Sequence, residues 1–220
     1  MHPLLYITSD LHAGAFWGEL ENFKGAKDDT VILLGDTGVF WDDSEESQAF
    51  FETLCAKNCR FLCIDGNHEN FGRLGEFPEE PFCGGMARKI SENMYCLSRG
   101  HIFTIAGKQF FVMGGGRSGE KSRQSGPWWP EEYPSDEEFS RAYGILETAK
   151  PDYILSHIYF LPQHRERKDF SLLPACSLER LFDFIDENVP FTHWYFGHWH
   201  IDRELDEKHT AVFQRLLPIA

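Results

Sequence analysis

Aspartate and histidine recur in short, similarly built groups along this chain: Asp10-Leu11-His12, Gly35-Asp36, Gly66-Asn67-His68-Glu69, His157, and Gly197-His198-Trp199-His200. Each group alone is an ordinary polar loop. Together they supply two carboxylates, one amide and five imidazoles, and a purely structural account would need hydrogen-bond partners for all of them. Mixed nitrogen and oxygen donors suit Mn, Fe, Zn, Ni or Co better than Ca or Mg. Two such cations about 3.5–4 Å apart form the clamp used in hydrolytic phosphoryl chemistry, with one carboxylate bridging them.

Something must bring groups so far apart in sequence to one place. Each follows a short β-rich run: residues 4–8, 30–34, 60–64, 153–155 and 194–196. Strand ends on one edge of a sheet converge on a common crevice, so five such ends suffice to build a site. Residues 45–56, 136–148 and 178–187 between them have helical patterning, with Leu178, Leu181, Phe182 and Ile185 on one face. Alternating strands and helices predict an α/β fold. Residues 95–97, 101–105 and 109–113 read as consecutive strands with turns at Arg99-Gly100 and Gly107-Lys108, an antiparallel stretch within a mixed sheet. Residues 114–134, rich in Gly, Ser, Pro and Trp, read as a long surface loop, with Trp128-Trp129 either a stacking surface or a pin to the body.

Length and composition narrow the function. A chain of 220 residues with 42% hydrophobic and 15% aromatic content predicts one globular domain over residues 1–220. The net charge of −14 is the wrong sign for gripping a long nucleic-acid duplex, whereas a small phosphorylated substrate at a cation-loaded pocket stays compatible with it. No apolar stretch approaches a membrane span, the N-terminus lacks an export signal, and none of the six cysteines forms a CxxC pair. These features predict a cytoplasmic protein with buried thiols. The oligomeric state is left open.

In their order and spacing, Asp10-x-His12, Gly35-Asp36, Gly66-Asn67-His68-Glu69, His157 and Gly197-His198-x-His200 resemble the calcineurin-like metallophosphoesterase superfamily. The resemblance spans Asp10 to His200. It implies a four-layer α/β/β/α sandwich of two mixed sheets flanked by helices, with the metal site at strand ends. It further implies that Asp10, His12 and His200 hold a first metal, that Asn67, His157 and His198 hold a second, and that Asp36 bridges them together with a water or hydroxide nucleophile. His68 would act on the phosphate and the leaving oxygen without binding metal. The cofactors implied are two divalent transition-metal ions, manganese first, with Fe, Zn, Ni or Co as alternatives. Asp65 would orient a neighbour or cap a turn.

Departures matter as well. Serine/threonine phosphatases of the superfamily continue the second motif as GDxVDRG, whereas here it runs Gly35-Asp36-Thr37-Gly38-Val39-Phe40-Trp41-Asp42, without the Asp-Arg pair. That argues against a phosphoprotein phosphatase unless Arg73 or Arg117 takes over the phosphate. A nuclease is disfavoured by acidity, and a non-catalytic interaction module by retention of every expected ligand. Trp199 either walls the pocket or packs beneath it, and the stretch around His164 would rim it. The expected function is hydrolysis of a phosphomonoester or phosphodiester of a small molecule or nucleotide.

Overall fold

Val31, Ile32, Leu33 and Leu34 are all fully buried in strand β2 (Thr30–Leu34), although only alternate side chains share a face. A strand buried on both faces reads as a continuous apolar run, and here each face has its own cover. Val31 and Leu33 pack beneath helix α1 (Glu45–Cys55) with Phe50 and Leu54. Ile32 and Leu34 face a second sheet through Val112, Leu155 and Tyr195.

The computed structural model describes residues 4–219 apart from 40, 126, 162–173 and 175. Among these, thirteen strands make two mixed sheets. The first has β1 (Leu5–Thr8), β2, β3 (Arg60–Ile64) and β6 (Met94–Leu97) in parallel, extended by β5 (Gly85–Lys89) and β4 (Glu79–Phe82) on one side and β13 (Leu217–Ile219) on the other. The second runs in the order β11 (Arg203–Glu204), β12 (His209–Ala211), β10 (His193–Phe196), β9 (Tyr153–Ser156), β8 (Lys108–Met113) and β7 (His101–Ile105). Helices α2 (Phe71–Leu74) and α3 (Glu120–Ser125) are short. Helices α4 (Asp136–Leu146) and α5 (Leu178–Asn188) cover the outer face of the second sheet with Phe139, Ala142 and Leu146, and with Leu178, Leu181, Phe182 and Ile185. Helix, sheet, sheet, helix is the four-layer sandwich expected.

Local chemistry sets the helix starts. Ser44, Ser135 and Ser177 each accept a hydrogen bond from the backbone N–H three residues on, and Ser135 with Glu138 completes a capping box. No helix among the described residues is long and apolar enough to cross a membrane.

The stretch from 87 to 115 corrects the expectation of one antiparallel run. Strands β5 and β6 pair antiparallel in the first sheet, β7 and β8 pair antiparallel in the second, and the chain changes sheets at Ser98-Arg99-Gly100. Gly100 takes the left-handed φ of 70° that the turn requires. Arg99 is buried there, with its guanidinium on the Asp65 carboxylate through Nε at 2.6 Å and through Nη2. A buried charge must be paired, so the crossover is pinned beneath the loop that carries Asn67.

Candidate metal centre

Strands β1, β2 and β3 lie side by side and parallel, as do β9 and β10, so their C-terminal ends open at shared edges. Backbone bonds join the loops beyond them: Asp10 N–H donates to Gly35 O (3.1 Å), His12 N–H to Asp36 O (2.9 Å), and Gly197 N–H to His157 O (2.9 Å). Two further bonds tie one sheet to the other, with His157 Nδ1 2.8 Å from Leu34 O and His198 N–H 2.9 Å from Asp10 Oδ2.

The backbone is strained at this junction. Asp10, His12, Asp36, His198 and His200 all have positive φ, between 45° and 69°, a region costly for residues with a Cβ. The glycines in the motifs make room. A Cβ at Gly66 would collide with Asp36 Oδ1, and one at Gly197 with Ser9 Oγ and Asp10 Oδ2.

All seven residues expected as ligands come together, in two clusters. In the first, His12 Nε2 and His200 Nε2 are 3.1 Å apart, and Asp10 Oδ1 is 3.9 Å and 3.3 Å from them. In the second, Asn67 Oδ1 lies 3.0 Å from both His157 Nε2 and His198 Nδ1, and those nitrogens are 3.3 Å apart. Asp36 stands between the clusters: Oδ2 is 3.7 Å from His12 Nε2 and Oδ1 is 3.4 Å from His157 Nε2. Since His157 Nδ1–H donates to Leu34 O, the neutral ring would carry its lone pair on Nε2, turned toward the second cluster and open to a metal.

Do these residues fit a cation? Asp10 and Asp36 are buried, and among the described residues neither carboxylate has a Lys or Arg beside it. Asp10 Oδ1 is buried without a hydrogen-bond partner among them. Buried anions need compensating positive charge, supplied either by protons on the imidazoles or by a metal. Burial would raise the Asp36 pKa and lower that of His157, yet their mutual attraction wins, holding Asp36 well below the usual carboxylate range and His157 up at about 10. His198 is pushed down to about 4, by burial first and then by its neighbour His157. Asp10, His12 and His200 on one side, and Asp36, His157 and His198 on the other, each present donor atoms within 4.8 Å of one another. The residues fit two cations that take mixed nitrogen and oxygen ligands.

His68 sits beside the clusters. Its backbone N–H donates to Asp36 Oδ1 (2.7 Å), and its ring lies 5.7 Å from that of His12. With His12, Ala13, Gly38 and Trp41 it lines a cavity of about 270 Å³.

Two supporting residues, Ser118 and Glu132, were not singled out in the sequence, and Glu69 was named there without a role. Ser118 Oγ accepts a hydrogen bond from Asn67 Nδ2 at 3.0 Å, turning Oδ1 of that amide toward His157 and His198. Glu132, buried, holds Ser118 in turn by accepting from its N–H at 3.0 Å. Glu69, also buried, accepts from Thr37 N–H (2.8 Å) and so braces the loop after Asp36. Burial, aided by the charge of Asp36, raises the Glu69 pKa to about 8. The long loop over residues 114–134 therefore holds structure of its own, in α3 and a 3₁₀ turn at Pro130–Glu132. Within it Trp129 packs against Trp41, while Trp128 is 40% exposed beneath Arg123.

Other expectations resolve individually. Asp65 forms the buried pair with Arg99. Arg73 is engaged by the Asp43 carboxylate, and Arg117 lies 4.6 Å over the Tyr133 ring. Trp199 packs on the outer core, with Nε1–H on Tyr159 O at 2.8 Å. All six cysteines are free, with Cys59, Cys63 and Cys96 buried and Cys83 exposed. His164 lies outside the described residues.

The chain is a two-sheet α/β sandwich with two clusters of candidate metal ligands at its strand ends. The family model for calcineurin-like phosphoesterases matches residues 4–202, and the chain belongs to that family. Among solved structures it is similar to a phosphopantetheinyl hydrolase from Mycobacterium tuberculosis. That likeness has 19% identity and a TM-score of 0.51, covers 96% of this chain and 90% of the other, and is one of fold. Curated proteins provide no match.

Proposed function

We propose that this chain hydrolyses a phosphomonoester or phosphodiester of a small molecule or nucleotide with a dinuclear metal centre. Asp10, His12 and His200 would hold one cation, Asn67, His157 and His198 the other, and Asp36 would be shared. The observation that carries this reading is the placement of Asp36, whose two oxygens turn toward different clusters. Two divalent cations bound there would polarise the phosphoryl group and make water a competent nucleophile at neutral pH. Manganese is our leading choice, and the mix of imidazole, amide and carboxylate donors suits Fe, Zn, Ni or Co as well.

The protein's own groups have separate tasks. Asp10 and Asp36 balance only part of the charge of two divalent ions, and the histidines bind as neutral rings, so the site stays positive enough for a phosphate anion. His68 is placed at the cavity rather than in either cluster, suited to donate a proton to the departing oxygen. Among the described residues Arg73 and Arg117 are already partnered and no guanidinium lines the cavity beside His68, which favours a small ester over a phosphoprotein. The net charge of −14 weighs against a long nucleic-acid duplex as partner, and six free cysteines fit a cytoplasmic site of action.

Hydrolysis of p-nitrophenyl phosphate and bis-p-nitrophenyl phosphate by metal-stripped protein, with and without Mn²⁺, tests the reading. Mn²⁺ should restore activity, Asp36→Ala should abolish the restoration, and His68→Ala should lower kcat by roughly 10²- to 10⁴-fold. Metal-independent turnover, or variants as active as wild type, would contradict it.

A further inference from the structure

Trp41 lines the cavity beside His68. Its backbone is held on both sides, with N–H donating to Gly38 O at 3.3 Å and its carbonyl accepting from Asn70 Nδ2 at 3.1 Å. Its ring centroid is 6.2 Å from that of His68 and 6.1 Å from that of Trp129, steeply inclined to each at 62° and 73°. A ring anchored in this way is already in place before a ligand arrives, so little ordering entropy is lost on binding.

The rest of the cavity lining limits what that ring can meet. His12 and His68 belong to the reacting end, and Ala13 and Gly38 are small, so among the described residues Trp41 is the one broad apolar face of the lining. No lysine or arginine lines the cavity among the described residues, so a second phosphate group would find no counter-ion there. Its volume of about 270 Å³ lies just below the roughly 300–1,000 Å³ usual for small-molecule sites, too little for a folded peptide segment or a run of nucleotides.

Resting on the phosphoesterase reading, we infer that the preferred substrates are small phosphate esters whose alcohol carries a flat aromatic or heteroaromatic ring, and that Trp41 is the surface on which this ring stacks. A nucleobase and a simple aryl group share the chemistry required, a π face beside an indole. Trp41 thus sets specificity, while His68 next to it acts on the ester oxygen.

The test uses full-length protein loaded with Mn²⁺ and two matched ester pairs in which the leaving alcohol is primary throughout. Adenosine 5′-monophosphate is compared with ribose 5-phosphate, and benzyl phosphate with ethyl phosphate. Wild type should favour the ring-bearing member of at least one pair by roughly 5- to 150-fold in kcat/KM. Trp41→Ala should bring that ratio toward one, mainly through KM, and Trp41→Phe should restore much of it. A preference within the first pair alone identifies a nucleobase, and within the second alone a simple aryl group. Ratios near one in wild type, or a ratio that survives in Trp41→Ala, would overturn the inference while metal-dependent turnover itself left the phosphoesterase reading standing. Should no ester turn over, calorimetric Kd values for the same pairs decide the matter, and equal values would overturn it.

Discussion

Ser118 Oγ lies 3.0 Å from Asn67 Nδ2, across 51 residues of sequence, and accepts the hydrogen bond that sets which way the Asn67 amide faces. Removing that acceptor leaves the amide free to turn its nitrogen toward the second cluster, where it offers no lone pair to a cation. Loss of such a supporting bond typically costs 10- to 100-fold in metal affinity. Ser118→Ala should therefore raise the Mn²⁺ concentration for half-maximal activity by about that factor while leaving kcat at saturating metal close to wild type. Unchanged metal dependence would remove Ser118 from the site.

Gly66 offers a steric test. Its φ is not in the left-handed region, so alanine is acceptable to the backbone there, but the added Cβ would strike Asp36 Oδ1. Gly66→Ala should displace the Asp36 carboxylate, abolish metal-restored activity and destabilise the fold by about 1–3 kcal/mol, the usual range for overpacking. Activity assays and urea denaturation on one preparation would separate the two effects.

The buried pair of Arg99 and Asp65 sustains the chain crossing between the sheets. Arg99→Ala would strand the Asp65 carboxylate in the interior, at a cost of roughly 3–5 kcal/mol. Replacing both partners with apolar residues should cost less than Arg99→Ala alone, because no unpaired charge is then left behind. Denaturation midpoints of the single and double variants measure this directly.

A pH signature should come from the opposite end of the second sheet. Burial would lower the His209 pKa, but hydrogen bonds to Asp186 (3.1 Å) and Asp206 (2.9 Å) raise it above its ordinary value. The folded state therefore binds this proton more tightly than the unfolded chain, whose histidines titrate near about 6.5. Its stabilising contribution is fully present below that value and is lost as pH rises through the folded pKa. The Tm advantage of wild type over His209→Gln should be largest below about pH 6 and shrink at alkaline pH. The energy involved is about 1–3 kcal/mol, toward the lower end because Asp206 is 58% exposed.

How much of this was legible in the sequence follows from where the information sits. Strands β1, β2, β3, β9 and β10 are short apolar runs ending abruptly in Asp, Asn, Gly or His, a contrast visible without coordinates. The helical face of Leu178, Leu181, Phe182 and Ile185 was equally plain, and all four are buried. Periodicity is silent on which of two sheets a strand joins, so the crossing at Arg99-Gly100 was missed. Ser118 and Glu132 were hidden for a related reason: their roles arise when an irregular loop folds back over Asn67, and nothing in their immediate neighbours encodes that contact. Positive φ at Asp10, His12, Asp36, His198 and His200 was likewise invisible, since none is glycine.

If Asp36 is shared by two metal sites of unlike composition, removing it must weaken both. Equilibrium dialysis of stripped protein against Mn²⁺, read out as bound metal per chain by mass spectrometry, tests it most directly. Wild type should bind two ions, Asn67→Ala should retain one, and Asp36→Ala should weaken both. A single ion in wild type, or two held as tightly in Asp36→Ala as in wild type, would contradict the shared-carboxylate centre.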